Sequence, residues 1–535
     1  MSNDQKPTIP RRNFIQTAAL GLGATVAAGA TVAQAATPAA AKEGTAGASE
    51  DASAAPYDLI IVGAGTAGLP AAIQAADLGA KVALLDKNPA IGGMLHVTGS
   101  HLSAANTRMQ IQKGFIDAPA THYRDIRKIG RYQNDSELVK LDVENAAAVV
   151  DWLQDLGVEF TPESPVIYYG HEVYGVPRTH MPLNGGRTVL EVFRKELEER
   201  IARGNVTLFT GVKAQSLIKA PGGRVVGVSC EQGGATREFR GGAVILTTGG
   251  YGANNDMRNQ YNPGHKSAIY GGLPHATGDG IRMAQEAGAK LVHMDNIIPV
   301  PGILYDGKNR PTSMGSGRIN LSWEKFRGSV WVNKNGERFV NEDGFGQDDK
   351  ERALMRQPDM TFFVLFDEKA RLANPCIVNG WSMDKFEAEA ARGVIVKKAN
   401  SIEALARSMG VDAAKLKDTI ARYNASVSAG HDAEFGRDKL QFPVAQGPFY
   451  GLQTIGFFLL TMGGVKVNYR LEAEDENGQR IAGLFAAGEV LGNGQLAGDG
   501  LVGGMSVTPS YVFGRLSARY ALDYVRGVLN RSSYT

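Results

Sequence analysis

The run Tyr57-Asp58-Leu59-Ile60-Ile61-Val62 leads straight into Gly63-Ala64-Gly65-Thr66-Ala67-Gly68, and a helical stretch, Leu69–Leu78, follows. A second apolar run, Lys81-Val82-Ala83-Leu84-Leu85-Asp86, then ends in an acid. A lone GxGxxG says little. Between a strand and a helix, with an acid closing the next strand, it reads as a dinucleotide-binding βαβ unit. Gly63 permits the tight turn, Gly65 lets a pyrophosphate approach the backbone, and Gly68 lets helix and strand pack closely. The helix N-terminus faces the phosphates with partial positive charge. Asp86 is placed to accept hydrogen bonds from ribose hydroxyls.

The rest of the chain predicts a similar architecture. Helical periodicity marks Ala146–Leu156, Val189–Ala202, Gly280–Gly288 and Ile402–Val427. Short strand-like runs fall at Val206–Phe209, Val225–Ser229 and Ala243–Thr247. Strands alternating with helices predict a parallel sheet with helices on both faces.

A second glycine pair, Ile91-Gly92-Gly93-Met94, closely follows Asp86, and Thr98-Gly99-Ser100-His101 lies just beyond. Near the other end, Gly483-Leu484-Phe485-Ala486-Ala487-Gly488-Glu489 precedes Gly503-Gly504-Met505-Ser506 and a helical run from Val507. A strand, an acid and a glycine-opened helix supply a carboxylate and backbone N–H groups for the far end of a long ligand. Both ends of the chain are therefore expected to meet on one large cofactor.

Composition excludes other classes. Two cysteines, Cys230 and Cys376, rule out a disulfide framework, an iron–sulfur cluster and a CxxCH haem site within the chain. No metal site is expected. Basic and acidic residues nearly balance, 57 against 55, so nothing points to nucleic acid. The 66 glycines suit a chain with many close backbone approaches. Arg11-Arg12-Asn13-Phe14-Ile15, a short Ala/Gly-rich run and Ala33-Gln34-Ala35 follow the order of a cleaved twin-arginine signal over residues 1–35, with periplasmic localisation. Residues 36–55 read as a flexible linker.

With these motifs in place, the sequence resembles the FAD-dependent oxidoreductases that include soluble flavocytochrome fumarate reductases and 3-ketosteroid dehydrogenases. The resemblance covers about Tyr57 to Tyr524. It is carried by Gly63–Gly68, Ile91–Met94, Thr248-Gly249-Gly250-Tyr251, Ala276-Thr277-Gly278-Asp279-Gly280, Arg338-Phe339-Val340-Asn341-Glu342, Thr461-Met462-Gly463-Gly464 and Leu484–Glu489. It implies an α/β fold: a Rossmann-like FAD-binding domain, residues 56–296 and 459–535, interrupted by an α+β capping domain, 297–458. FAD contacts are implied at Ala67, Asp86, Gly93, Met94, Leu95, Gly99, Ser100, Val212, Asp279, Glu489, Ser506 and Val507, beside Gly63, Gly65 and Gly68.

The resemblance also shows a gap. The His and Arg residues with which fumarate reductases hold a dicarboxylate align with Val300, Gly346, Leu460 and Leu501. A buried dicarboxylate without cationic partners is costly. Val300, Phe345, Phe457, Phe458, Leu460, Leu496 and Leu501 predict an apolar substrate pocket, with backbone donors of Gly498–Gly500 to polarise a carbonyl. Hydride exchange at a C=C or CH–CH bond also requires a proton donor. Tyr305, Arg318 and Asp348 stand as candidates. Asp348 also reads as the start of a solvated helix, and Arg338 with Glu342 reads as a structural pair. The expected activity is that of an exported ene-reductase fed by a separate cytochrome- or quinol-linked partner. A desaturating 3-ketosteroid-type dehydrogenase and a flavin electron carrier without turnover remain as alternatives.

Overall fold

The computed structural model describes residues 57–168, 174–304, 319, 328–344, 347–374 and 376–527. Contacts divide the chain into two compact units. The smaller holds 302–343 and 362–454, and the larger holds 57–301, 344–361 and 455–527. The expected boundaries at 297 and 458 lie a few residues outside these limits. Segment 344–361, inside the expected cap, belongs to the larger unit because its helix is tied there by ion pairs described below. Signal and linker lie outside the described residues.

The larger unit is built on an eight-stranded sheet whose main path runs Glu472–Glu474, Arg480–Ala486, Ala235–Leu246, Tyr57–Val62, Val82–Asp86 and Val206–Thr210. Tyr57–Val62 lies parallel to both neighbours, with Ile61 opposite Leu84 on one side and Ile245 on the other. Leu59, Ile60 and Ile61 are fully buried. That is why the strand reads as a continuous apolar run rather than an alternating one. Lys213–Lys219 and Val225–Gln232 form an antiparallel hairpin feeding Ala235–Leu246. The last helix, Val507–Val525, crosses Gly68–Asp77 closely: a Cβ on Gly514 would stand 2.3 Å from the Ala67 carbonyl oxygen.

In the smaller unit Val330–Asn333 pairs antiparallel with Thr361–Asp367, and Val396–Ala399 with Phe449–Phe458. Its own core gathers Val330, Val332, Leu365, Leu405, Leu416 and Tyr423. The periodic run Ile402–Val427 is two helices, Ile402–Met409 and Ala413–Ala429. Gly410 at φ +70° ends the first, and the Asp412 side chain caps the second. The RFVNE motif is structural. Arg338 is fully buried, with Glu342 and Asp432 each at 2.8 Å. Among the described residues no helix is long and apolar enough to cross a membrane, and no cluster of ligating side chains could hold a metal.

Candidate active site

The glycine-rich turn explains itself atom by atom. Gly63 adopts φ +106°, and a Cβ there would lie 2.4 Å from the Thr247 carbonyl oxygen. A Cβ on Gly68 would lie 1.8 Å from the Gly63 oxygen. Both glycines are demanded by protein packing. Gly65 is different, since a Cβ would meet nothing nearer than Gly93 Cα at 3.9 Å. The strip between Gly65 and Gly93 is bare backbone with room for a ligand. The helix Gly68–Asp77 has no side-chain cap and no acid in its first turn. The N-terminus of Val507–Val525 is uncapped and acid-free in the same way. Helix ends left with free N–H donors fit an anionic or carbonyl-rich partner. A flavin dinucleotide has both.

The acids are held in defined poses. Asp86 accepts from the Ala64 and Asn88 backbone N–H groups, both at 2.8 Å, at the C-terminal end of its strand. Val212 is buried and donates its N–H to the Asp86 carbonyl at 2.9 Å. Asp279 pairs with Lys87 Nζ at 2.6 Å. Burial pushes its carboxyl up, but the Lys87 bond outweighs this and holds it below the ordinary range. Glu489 accepts from Thr461 N–H at 2.8 Å and Oγ1 at 3.0 Å, and burial raises its carboxyl. Met94 and Leu95 lie in the short turn Gly93–His96. Gly99 leaves room for the His101 ring. Ser100 is buried at φ +48°, a left-handed conformation uncommon outside glycine, and its Oγ meets Tyr511 Oη at 2.5 Å. Ser506 is the N-cap position before Val507. The first glycine motif and the last one touch: a Cβ on Gly488 would lie 2.9 Å from Ala67 Cβ. Thr461 stood in the motif Thr461-Met462-Gly463-Gly464, but Lys87, Thr247 and Tyr511 went unnoticed as site residues. Lys87 alone left a local signal, following Asp86 directly.

On the substrate side, Tyr305, Arg318, Phe345 and Gly346 lie outside the described residues. Val300, Leu496 and Leu501 are buried, and Leu460 is half-buried. Asp348 lies in the helix Gln347–Met355, as read, but not in water. Its side chain is 13% exposed and bonds Arg352 at 3.0 Å and Arg131 at 3.2 Å. Lys350 and Glu351 beside it are buried too. The cause is Arg352, which also pairs with Asp499 at 2.7 Å and donates to the Asp499 carbonyl, so the helix is fastened to the loop Gly498–Leu501. Burial disfavours the Arg352 charge, but its bonds to Asp348 and Asp499 keep it firmly protonated.

That loop also corrects the expected row of donors. The Gly498 N–H is taken by Gly494 O at 2.8 Å and the Asp499 N–H by Gly130 O at 3.5 Å. The Gly500 N–H makes no bond among the described residues, and a Cβ on Gly500 would lie 3.1 Å from Asp348 Oδ1. One backbone donor, not three, is available there. His293, at φ +54°, packs its ring against Gly494, and burial lowers its imidazole so that it is neutral.

Residues 58–505 match the family described as FAD binding domain. The chain is 31% identical over 478 residues to the fumarate reductase (cytochrome) of Shewanella frigidimarina, covering 88% of this chain and 78% of that one. It is also 31% identical over 498 residues to the vinyl phenol reductase of Lactiplantibacillus plantarum, covering 88% and 97%. The fold is similar to that of 3-ketosteroid delta1-dehydrogenase from Sterolibacterium denitrificans, solved with 1,4-androstadiene-3,17-dione, with TM-score 0.74, 22% identity and coverage of 87% and 99%.

Proposed function

Because this chain belongs to the FAD-binding domain family, we propose that it is an oxidoreductase that reduces the C=C bond of a neutral or apolar, often aromatic, activated alkene. FAD, when bound, supplies the hydride-transferring centre. Gly65, Gly93 and the uncapped N-terminus of Gly68–Asp77 would hold its pyrophosphate, Asp86 its ribose, and Glu489, Ser506 and Val507 its flavin end.

The observation that carries the substrate class is the state of the cations around Gly498–Leu501. Arg352 and Arg131 are paired with Asp348 and Asp499, and His293 is neutral. By the motif resemblance, the positions that hold a dicarboxylate in fumarate reductases fall on Val300, Gly346, Leu460 and Leu501. A dianion would enter without partners there, at a cost of several kcal/mol per charge. The Gly500 N–H is suited to polarise a conjugated carbonyl. A vinyl phenol reductase among the relatives favours the same substrate chemistry. Asp348 has a positioning duty in this reading, because its oxygens are engaged by two guanidinium groups. Export to the periplasm through Arg11-Arg12, and electrons from a separate cytochrome- or quinol-linked protein, complete the proposal.

Anaerobic reoxidation tests it. Photoreduced holoprotein is mixed with cinnamate-like acids, vinyl phenols, enones, a 3-ketosteroid and fumarate. Rapid recovery of flavin absorbance with an apolar alkene, and none with fumarate, is expected. Faster recovery with fumarate would overturn the substrate class.

A further inference from the structure

A polar cluster that the site above does not use lies among the helices Pro119–Ile129 and Ser136–Asp155, the short strand Leu102–Ser103 and the start of Val507–Val525. His122 and Asp142 are 0% exposed, and neither ring nitrogen nor either carboxyl oxygen has a hydrogen-bond partner. Ser103 Oγ and His180 Nδ1 are buried without partners as well. Tyr174 joins the group. Its ring meets His122 edge-on at 5.2 Å, and its hydroxyl donates to Gly503 O at 2.7 Å. Six unsatisfied buried atoms together would rival the whole stability of a domain, so such a group persists only when hydrated.

The charges facing the cluster are Arg178, over the Tyr174 ring at 5.2 Å, and its partners Asp117 and Asp125; Lys113 acts on His180. Burial pushes the Asp142 carboxyl well above its ordinary range, which favours its protonated form. Burial and then Arg178 press His122 down to about 3, so its imidazole is neutral. A proton-bearing acid and an imidazole with both nitrogens free are the parts of a shuttle.

The cluster adjoins the cofactor-binding segments. Ser103 N–H donates to Thr508 Oγ1 at 2.8 Å, and a Cβ on Gly504 would strike Ser103 Oγ at 2.5 Å. From these contacts at Gly503 and Gly504 the chain runs through the buried Met505 to Ser506. Ser100 is three residues before Ser103.

We infer that buried water joins Asp142, His122 and Ser103 into a relay, and that Asp142 supplies the proton consumed when hydride passes from the reduced flavin to the alkene. The inference rests on the C=C reading above. Hydride forms a C–H bond at one alkene carbon as the π bond breaks and the flavin returns to its oxidised state. The other carbon takes a proton from the Ser103 hydroxyl, which regains one from Asp142 through water. The Asp142 carboxylate is then reprotonated from solvent through His122.

The test is Asp142→Asn, close in shape but unable to give up a proton, with Ser103→Ala as a second variant should the first fail to retain FAD. Photoreduced holoprotein is reoxidised by the best alkene and, separately, by ferricyanide, which takes electrons and needs no proton delivered. The relay predicts reoxidation by alkene slowed at least about tenfold, with ferricyanide unaffected. Equal rates with both proteins, or equal slowing by both oxidants, would overturn it. Should no alkene reoxidise the wild type, the C=C reading fails and infrared spectroscopy decides the relay alone. A protonated carboxyl C=O band that shifts on flavin photoreduction and is missing in Asp142→Asn supports it. A resting protein without that band, or a band indifferent to the flavin, overturns it.

Discussion

Gly65 and Gly68 sit three residues apart and are glycine for different reasons. At Gly68 a methyl group would collide with backbone that cannot yield, so Gly68→Ala is expected to give little folded protein. At Gly65 the protein leaves space, so the Gly65→Ala apoprotein should melt at the same temperature as wild-type apoprotein yet lose FAD affinity at least about tenfold, because the methyl enters the strip beside Gly93. Circular dichroism and flavin absorbance of the purified variants separate the two. These roles were legible because the motif is contiguous. The Lys87–Asp279 pair spans 192 residues and was not. The buried histidines make a second residue-scale prediction. Burial lowers His122 to about 3 and His180 to about 4, against 6.5. The unfolded chain therefore takes up protons first, and stability present above pH ~6.5 is lost as pH falls towards those values, at about 1.4 kcal/mol per unit for each histidine. Asp142 acts in the opposite sense, since a raised carboxyl favours the folded state as pH falls. The melting temperature between pH 7 and 4.5 should accordingly fall less steeply in His122→Gln than in wild type, and parallel curves would contradict the assignment.

Among the elements, the helix Gln347–Met355 shows what sequence could not supply. Asp348-Asp349-Lys350-Glu351-Arg352 has the composition of a solvated helix start, and only the long-range partner Asp499 reveals that Asp348 and Arg352 face inward. Local pattern predicts a helix and says nothing of which face is covered by a segment 147 residues away. Removing the guanidinium frees the loop Gly498–Leu501, deprives Asp499 of its ion-pair partner and leaves Asp348 with Arg131 alone. Arg352→Ala should raise KM for the alkene and lower kcat about tenfold, with FAD content unchanged, in steady-state assays with a reducing dye. The same sequence signal was sufficient for Arg338 and Glu342, because the pair is four residues apart on one motif. There the carboxylates of Glu342 and Asp432 are both buried, so Arg338→Met should cost about 3–5 kcal/mol in denaturant unfolding. Burial pushes Asp432 up, but Arg338 outweighs it and holds that carboxyl below its usual range. The stabilisation is therefore complete above the ordinary carboxylate pKa and lost as pH falls through the depressed one.

For the molecule as a whole, the parallel sheet and the meeting of both chain ends were readable, since each glycine-rich end carries its own motif and Gly488 and Gly514 pack on Ala67. The return of 344–361 to the larger unit was not, because it depends on Arg131, Asp348, Arg352 and Asp499 finding one another across the chain. The two units have separate cores, and every residue assigned to FAD lies in the larger one. A ligand stabilises what binds it by RT ln(1 + [L]/Kd), a few kcal/mol at a hundredfold excess over Kd. Adding FAD to apoprotein should therefore raise the calorimetric transition of the larger unit by several degrees and leave that of the smaller unit in place. Equal shifts of both would mean that the units unfold as one. This dependence bears on export. On the proposed twin-arginine route, which carries folded protein, FAD bound in the cytoplasm would stabilise the larger unit before export. Replacing Arg11-Arg12 by Lys-Lys should leave flavin-loaded precursor in the cytoplasm. On that proposal, variants that lose FAD, such as Gly65→Ala, should be exported poorly even with Arg11-Arg12 unchanged. Fractionation followed by flavin fluorescence measures both. Efficient export of flavin-free Gly65→Ala would show that loading does not precede export.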